Sequence, residues 1–218
     1  MAIQVKICGI NTAEAADAAL AAGADFAGLV FFPASPRYVR PDQAASLAGR
    51  LRGRTRIVAL LADAKDDAIA DAIAAASPDF LQLHGKEAPD RVGEIRARFG
   101  KPVIKVFTVA DASDLACAAS YEADMLMFDA KAPAAADRPG GHGAAFDWQL
   151  LRGRSFSRPW LLAGGLNAEN VARAIRACDA PGVDVSSGVE TSPGIKSPEL
   201  IRDFVAKARN ANYASASI

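Results

Sequence analysis

The sequence predicts an α/β fold, a single-domain (β/α)8 barrel spanning residues 1–218. Three observations carry that prediction. Short runs rich in β-branched and aromatic residues alternate with Ala-rich segments of helical spacing along the whole chain, a pattern that implies parallel strands joined by right-handed crossovers. The alternation gives about eight strand–helix units of roughly 27 residues each, the number that closes a small barrel. No Pro/Gly/Ser-rich linker or composition shift divides the chain, which favours one domain over two. A doubly wound open sheet is the alternative use of the same units.

In order, strands are expected at 3–8, 26–31, 56–61, 79–83, 102–107, 124–129, 159–163 and 182–186, with the helix of the last unit delayed to 197–210. Helix boundaries support this spacing. Asn11-Thr12 can cap a helix whose first turn holds Glu14, Gly23 can end it, and Ala24-Asp25 leads into the strand FAGLVF. The same pattern recurs at Asp111 and Asn167. The stretch 130–145 is the one long loop, placed where a barrel could use a lid, with plain disorder as the alternative.

Composition narrows the function classes. Lys+Arg is 25 and Asp+Glu is 25, so no overall basic field exists to hold a nucleic acid or an anionic membrane. That rules out binding by bulk charge, though not a local anion site. No apolar stretch approaches the ~18 residues of a membrane span, and the acid-bearing amphipathic start does not resemble a secretory signal. Three cysteines, with no CxxC pair, indicate neither a disulfide framework nor a thiolate zinc site, and reduced thiols in the cytoplasm fit best. With only two histidines, His84 and His142, no metal site is expected. Cys117 and Cys178, on helical segments, are expected to be packing residues.

In a barrel of this kind the site forms where strands end and the following loops begin. The first strand delivers Lys6, Cys8 and Gly9; the second leads to Ser35 and Arg37; the fourth ends at Gln82 and His84. The sixth ends at Asp129, the seventh at Ala163-Gly164-Gly165, and the eighth at Asp184, Ser186, Ser187 and Gly188. Gly164-Gly165 and Ser187-Gly188 can turn backbone amides toward one shared anion, which points to a phosphate; ordinary turns are the alternative. Cys8 and Asp129 would face each other across the mouth, as suits a general base and a general acid, with Lys6 favouring the thiolate. Taken alone, the pair fits a small buried hydrophobe and a helix cap at least as well. The Arg37 guanidinium matches a carboxylate with two parallel hydrogen bonds, against the alternative of a solvated surface arginine. His84 follows an apolar strand, where one histidine without a partner is more often structural than a ligand.

Seven blocks then carry a resemblance: VKICGIN at 5–11, FFPASPRYV at 31–39, LQLHG at 81–85, FDA at 128–130, GGHGAAFDW at 140–148, LAGGLNAENV at 162–171 and GVDVSSGVETSPGIKS at 182–197. In this order, over nearly the whole chain, they resemble the N-(5′-phosphoribosyl)anthranilate isomerase (TrpF) family of tryptophan biosynthesis. The resemblance implies a cofactor-free Amadori rearrangement of phosphoribosylanthranilate to 1-(2-carboxyphenylamino)-1-deoxyribulose 5-phosphate. It implies Asp129 as general acid, Cys8 as general base and Arg37 as the holder of the anthranilate carboxylate. Gly164, Gly165, Ser187 and Gly188 would grip the phosphate, and His84 joins the substrate-binding set. Two positions depart from the family pattern: His142 stands where Thr is frequent, and Ser197 where Asp is common. A different phosphosugar barrel would share the phosphate site but not the KICG and SPRYV blocks, and a catalytically silent phosphate-ligand sensor would be favoured by an acid or base lost from the site. Either a monomer or a homodimer is compatible with the sequence.

Overall fold

Eight parallel strands pair in chain order: β1 (Gln4–Cys8), β2 (Phe26–Val30), β3 (Arg56–Leu61), β4 (Phe80–Leu83), β5 (Val103–Val109), β6 (Met125–Ala130), β7 (Trp160–Leu162) and β8 (Gly182–Val185). The last returns to the first, from Gln4↔Gly182 to Ile7↔Val185, and this pairing excludes the open sheet. The closed ring with helices between its strands is the TIM-barrel architecture. The structure is a computed structural model and describes residues 2–130 and 147–211. All of the expected loop 130–145 beyond Ala130, His142 included, lies outside the described residues.

The strands follow the expected boundaries because their side chains alternate between two apolar environments. One parity points into the barrel: Phe26, Val58, Ile104, Val106, Met125, Met127, Leu161 and Ala163 pack into one interior cluster. Above it lies a smaller group of Cys8, Val30 and Leu60, with Phe32 against it. The other parity, including Val5, Ile7, Leu29, Leu81 and Phe128, joins the larger core between strands and helices. Parity thus decides the site: Lys6 and Cys8 share the inner face of β1, and Asp129 continues the Met125–Met127 row of β6.

The helices are α1 (Ala13–Ala21), α2 (Pro41–Leu51), α3 (Asp66–Ala76), α4 (Pro89–Phe99), α5 (Val171–Cys178) and α6 (Pro198–Arg209). Thr12 caps α1 as expected, its Oγ1 accepting from the Ala15 amide at 3.1 Å. Its inner face is only Ala15, Ala16, Ala18 and Ala19, so the Ala-rich composition produces a thin helix lying close against the barrel. Ser197 caps α6 by accepting from the Leu200 amide at 3.3 Å. At this position a serine hydroxyl performs the capping that an aspartate also performs.

Three expectations change. The helix after Asn167 starts later, at Val171, because the Asn167 and Asn170 side chains bond each other's backbone and hold a turn there. After β5 and β6 the described helical segments, Ala112–Ser120 and Trp148–Leu151, are 3-10 rather than α. In the first, Asp111, Asp114 and Ser120 bond nearby backbone groups, competition that tightens turns. Cys117 on this segment is exposed, not packed, whereas Cys178 is buried. No described helix is long and apolar enough to cross a membrane.

Candidate active site

At the C-terminal ends of the strands a cavity of about 690 Å³, its open mouth included, brings together Cys8, Arg37, His84, Asp129, Gly164, Gly165 and Ser187. These come from six strands or the loops that follow them, so barrel closure alone makes them neighbours. Of the eight residues expected at the site, only Gly188 does not line the cavity. Its place is one of close approach: a Cβ there would overlap the Leu166 carbonyl oxygen. Gly188 therefore lets the loop after β8 touch the loop after β7.

Gly164 and Gly165 adopt φ of 88° and 63°, conformations that L side chains rarely take. A Cβ on Gly164 would also overlap the Ala130 amide and lie 3.0 Å from Asp129 Oδ1. The Gly164, Gly165, Ser187 and Gly188 amides donate to no described acceptor. Two loops of adjacent strands at one end of the barrel thus carry unspent N–H groups, the kind of group that binds an anion.

Cys8 is 4 % exposed. Gly28 on the neighbouring strand makes room for it, since a Cβ there would meet Cys8 Sγ at 3.1 Å and Lys6 Nζ at 3.2 Å. The expected influence of Lys6 is only partly realised. Its ammonium, fully buried, donates to Asp184 Oδ1 at 2.7 Å. Burial works to lower its pKa, but Asp184 and Cys8 together raise it above the ordinary lysine value. For Cys8, burial outweighs the pull of Lys6 and Lys196, and the thiol stands above its ordinary pKa. Desolvation of the charged form thus exceeds the help of cations already committed to other partners, and the neutral thiol is favoured.

Asp129 Oδ1 accepts from the Ala130 amide at 2.8 Å. Its Oδ2 lies 3.2 Å from His84 Nε2, but the approach is too oblique for a hydrogen bond, and His84 Nε2 has no other described partner. Gln82 Nε2 stands 3.4 Å from His84 Nδ1, while Gln82 Oε1 is buried without a partner. Both residues line the cavity, and leaving such buried groups unpaired costs about 1–3 kcal/mol each.

Arg37 is buried rather than solvated, 5 % exposed. Its Nε and Nη2 donate to Glu190 Oε1 and Oε2, both at 2.7 Å. Only the remaining Nη1–Nη2 edge can take a ligand carboxylate with two hydrogen bonds. Glu190 also accepts from Lys196 Nζ at 2.7 Å. Burial alone would raise the Glu190 pKa, but Arg37 and Lys196 hold it below the ordinary glutamate value.

With this geometry in place, comparison with known proteins decides the family. The sequence family described as N-(5'phosphoribosyl)anthranilate (PRA) isomerase matches residues 5–207. The chain belongs to the N-(5'-phosphoribosyl)anthranilate isomerase family. It is 53 % identical over 211 residues to the N-(5'-phosphoribosyl)anthranilate isomerase of Rhodopseudomonas palustris strain BisA53, covering 96 % of this chain and 97 % of that one. Among solved structures it resembles a phosphoribosyl anthranilate isomerase in complex with reduced 1-(o-carboxyphenylamino)-1-deoxyribulose 5-phosphate, with TM-score 0.82, 33 % identity and coverage of 95 % and 99 %. It is equally similar to monomers generated from the dimeric isomerase of Thermotoga maritima, with TM-score 0.81, 33 % identity and the same coverage.

Sequence reasoning missed Glu190 and Lys196 at this family site. Both stand within the block GVDVSSGVETSPGIKS, but their pairing with Arg37 depends on its burial, which local spacing does not reveal. The unpaired Gln82 oxygen carried no sequence signal, because its isolation depends on what surrounds it in space.

Proposed function

We propose that this cavity catalyses the Amadori rearrangement of N-(5-phosphoribosyl)anthranilate to 1-(2-carboxyphenylamino)-1-deoxyribulose 5-phosphate, with Asp129 as general acid and Cys8 as general base. The observation that carries the assignment is that an acid, a base, an arginine edge and a set of unspent amides line a single cavity. Such a set suits a substrate that carries both a carboxylate and a phosphate. The Arg37 edge would take the first, and the loops after β7 and β8 the second.

The chemistry follows from the protons. Asp129 donates to the ribose ring oxygen, the C1′–O bond breaks, and the nitrogen lone pair forms an iminium. The Cys8 thiolate removes the C2′ proton, and the electron pair left behind forms the C1′=C2′ bond and neutralises the iminium. The resulting enolamine becomes the ketone as the 2′-hydroxyl loses one proton and C1′ gains one. Every step is a proton transfer within reach of ordinary side chains. The elevated thiol pKa is compatible with this role because the iminium brings a positive charge beside Cys8 at the step that needs a thiolate. His84 Nε2 and Gln82 Oε1 would meet sugar hydroxyls.

The chain acts as a monomer or as a homodimer. The reduced thiol it uses fits a cytoplasmic setting. The test is a fluorescence assay following loss of phosphoribosylanthranilate. Cys8→Ala and Asp129→Ala should each lower kcat by roughly 10² or more, with unchanged circular dichroism. Near-normal turnover in either variant overturns that residue's role.

A further inference from the structure

After β8 the chain forms an antiparallel hairpin, β9 (Glu190–Ser192) with β10 (Ile195–Lys196). The hairpin folds back over the loops that follow β1 and β2. Asn11 Nδ2 donates to the Gly194 carbonyl at 2.9 Å, and a Cβ on Gly194 would lie 2.5 Å from the Pro36 carbonyl oxygen. From the base of the hairpin, Glu190 and Lys196 turn inward, with side chains 3 % and 0 % exposed. Glu190 holds Arg37 through both carboxylate oxygens, and its Oε2 also accepts from the Gly194 amide at 3.2 Å. Lys196 braces Glu190 and reaches the Ser186 carbonyl at 2.9 Å, beside the loop with the unspent amides.

Two cations and one anion leave a single net positive charge to meet a ligand carboxylate. More important is direction. A bidentate partner on the Nε–Nη2 edge fixes the guanidinium plane, so its Nη1–Nη2 edge is held in one orientation before substrate arrives. We propose that Glu190, braced by Lys196, is the positioning residue that makes this barrel selective for the arylamine bearing an ortho-carboxylate. The inference rests on the reading of Arg37 as the carboxylate-binding group. Preorganisation of this kind acts on binding of the carboxylate, not on the proton transfers at Asp129 and Cys8.

The experiment compares N-(5-phosphoribosyl)anthranilate with N-(5-phosphoribosyl)aniline, which lacks the carboxylate, on the full chain and three variants. Glu190→Asp keeps the charge and shortens the reach by one methylene; Glu190→Gln keeps the shape and removes the charge; Arg37→Ala removes the binding group. Both Glu190 variants should raise KM for the carboxylated substrate by about tenfold, with a much smaller change in kcat and little change in KM for the aniline. An equal rise in KM for both substrates would reduce Glu190 to a general brace and overturn the proposal. Tighter binding of the carboxylated substrate by Glu190→Gln would also overturn it, because net charge and not orientation would then govern recognition. If Glu190→Asp does not fold, Glu190→Gln alone decides between these outcomes. Preserved discrimination in Arg37→Ala would instead overturn the reading of Arg37 itself.

Discussion

Replacing Lys6 by Met offers a demanding test of how the site is held together. The ammonium is fully buried and lies 2.7 Å from Asp184 Oδ1, whose own side chain is 10 % exposed. Met fills nearly the same space but leaves Asp184 as an uncompensated carboxylate inside the barrel. Removing one partner of a buried pair costs about 3–5 kcal/mol. The slight exposure of Asp184 places the expected loss near the lower end, about 3 kcal/mol, a large share of the roughly 5–15 kcal/mol that stabilises a typical domain. Urea unfolding followed by the fluorescence of Trp148 and Trp160 measures it. The double variant Lys6→Met with Asp184→Asn removes the stranded charge and should recover more than half of the loss. Activity should not return with stability. Lys6 opposes the burial of the Cys8 thiol more strongly than Asp184 reinforces it, so without the pair the thiol rises further and the kcat profile moves to higher pH. A loss below about 1 kcal/mol in the single variant would mean that the pair behaves like a solvated surface contact, and the argument would fail. So would a double variant no more stable than the single one.

Other expectations follow from the same geometry. Gln82→Met removes the buried oxygen that has no partner, so thermal stability should rise by about 1 kcal/mol while KM for substrate increases; a loss of stability would show that the oxygen is already satisfied. Cys178 is buried and its thiol is pushed up to about 11 by burial. Because burial favours the neutral form, its contribution to stability is complete below the ordinary thiol pKa and is lost as pH rises through about 11. The cost above that pH is about 3 kcal/mol, and Cys178→Ala should shrink the alkaline fall in Tm, measured by calorimetry, by a corresponding amount.

Most of the architecture was legible in the sequence because it depends on local rules. Alternating strand and helix units, Thr12 as a cap, and the glycine pair after β7 each follow from a few neighbouring residues. Once strand parity was known, Cys8 and Asp129 had to point inward, and the ring had to bring them to one mouth. The late start of α5 and the 3-10 segments escaped because several Asn, Asp and Ser side chains compete there for the same backbone groups, and small differences decide the outcome.

The sequence by itself determined the alternating strand–helix units and the order of the family's blocks, since periodicity and block order are properties of the chain alone; closure of the sheet was decided by the pairing of β8 with β1. Tertiary structure decided what those residues are electrically. Lys6 meets Asp184 across 178 positions, and Arg37 meets Glu190 across 153. Neither pairing follows from local spacing, and each redirects a charge that the sequence left free. The elevated Cys8 thiol has the same origin. Its state depends on how completely water is excluded and on which cations remain uncommitted, quantities that exist only after eight strands have closed.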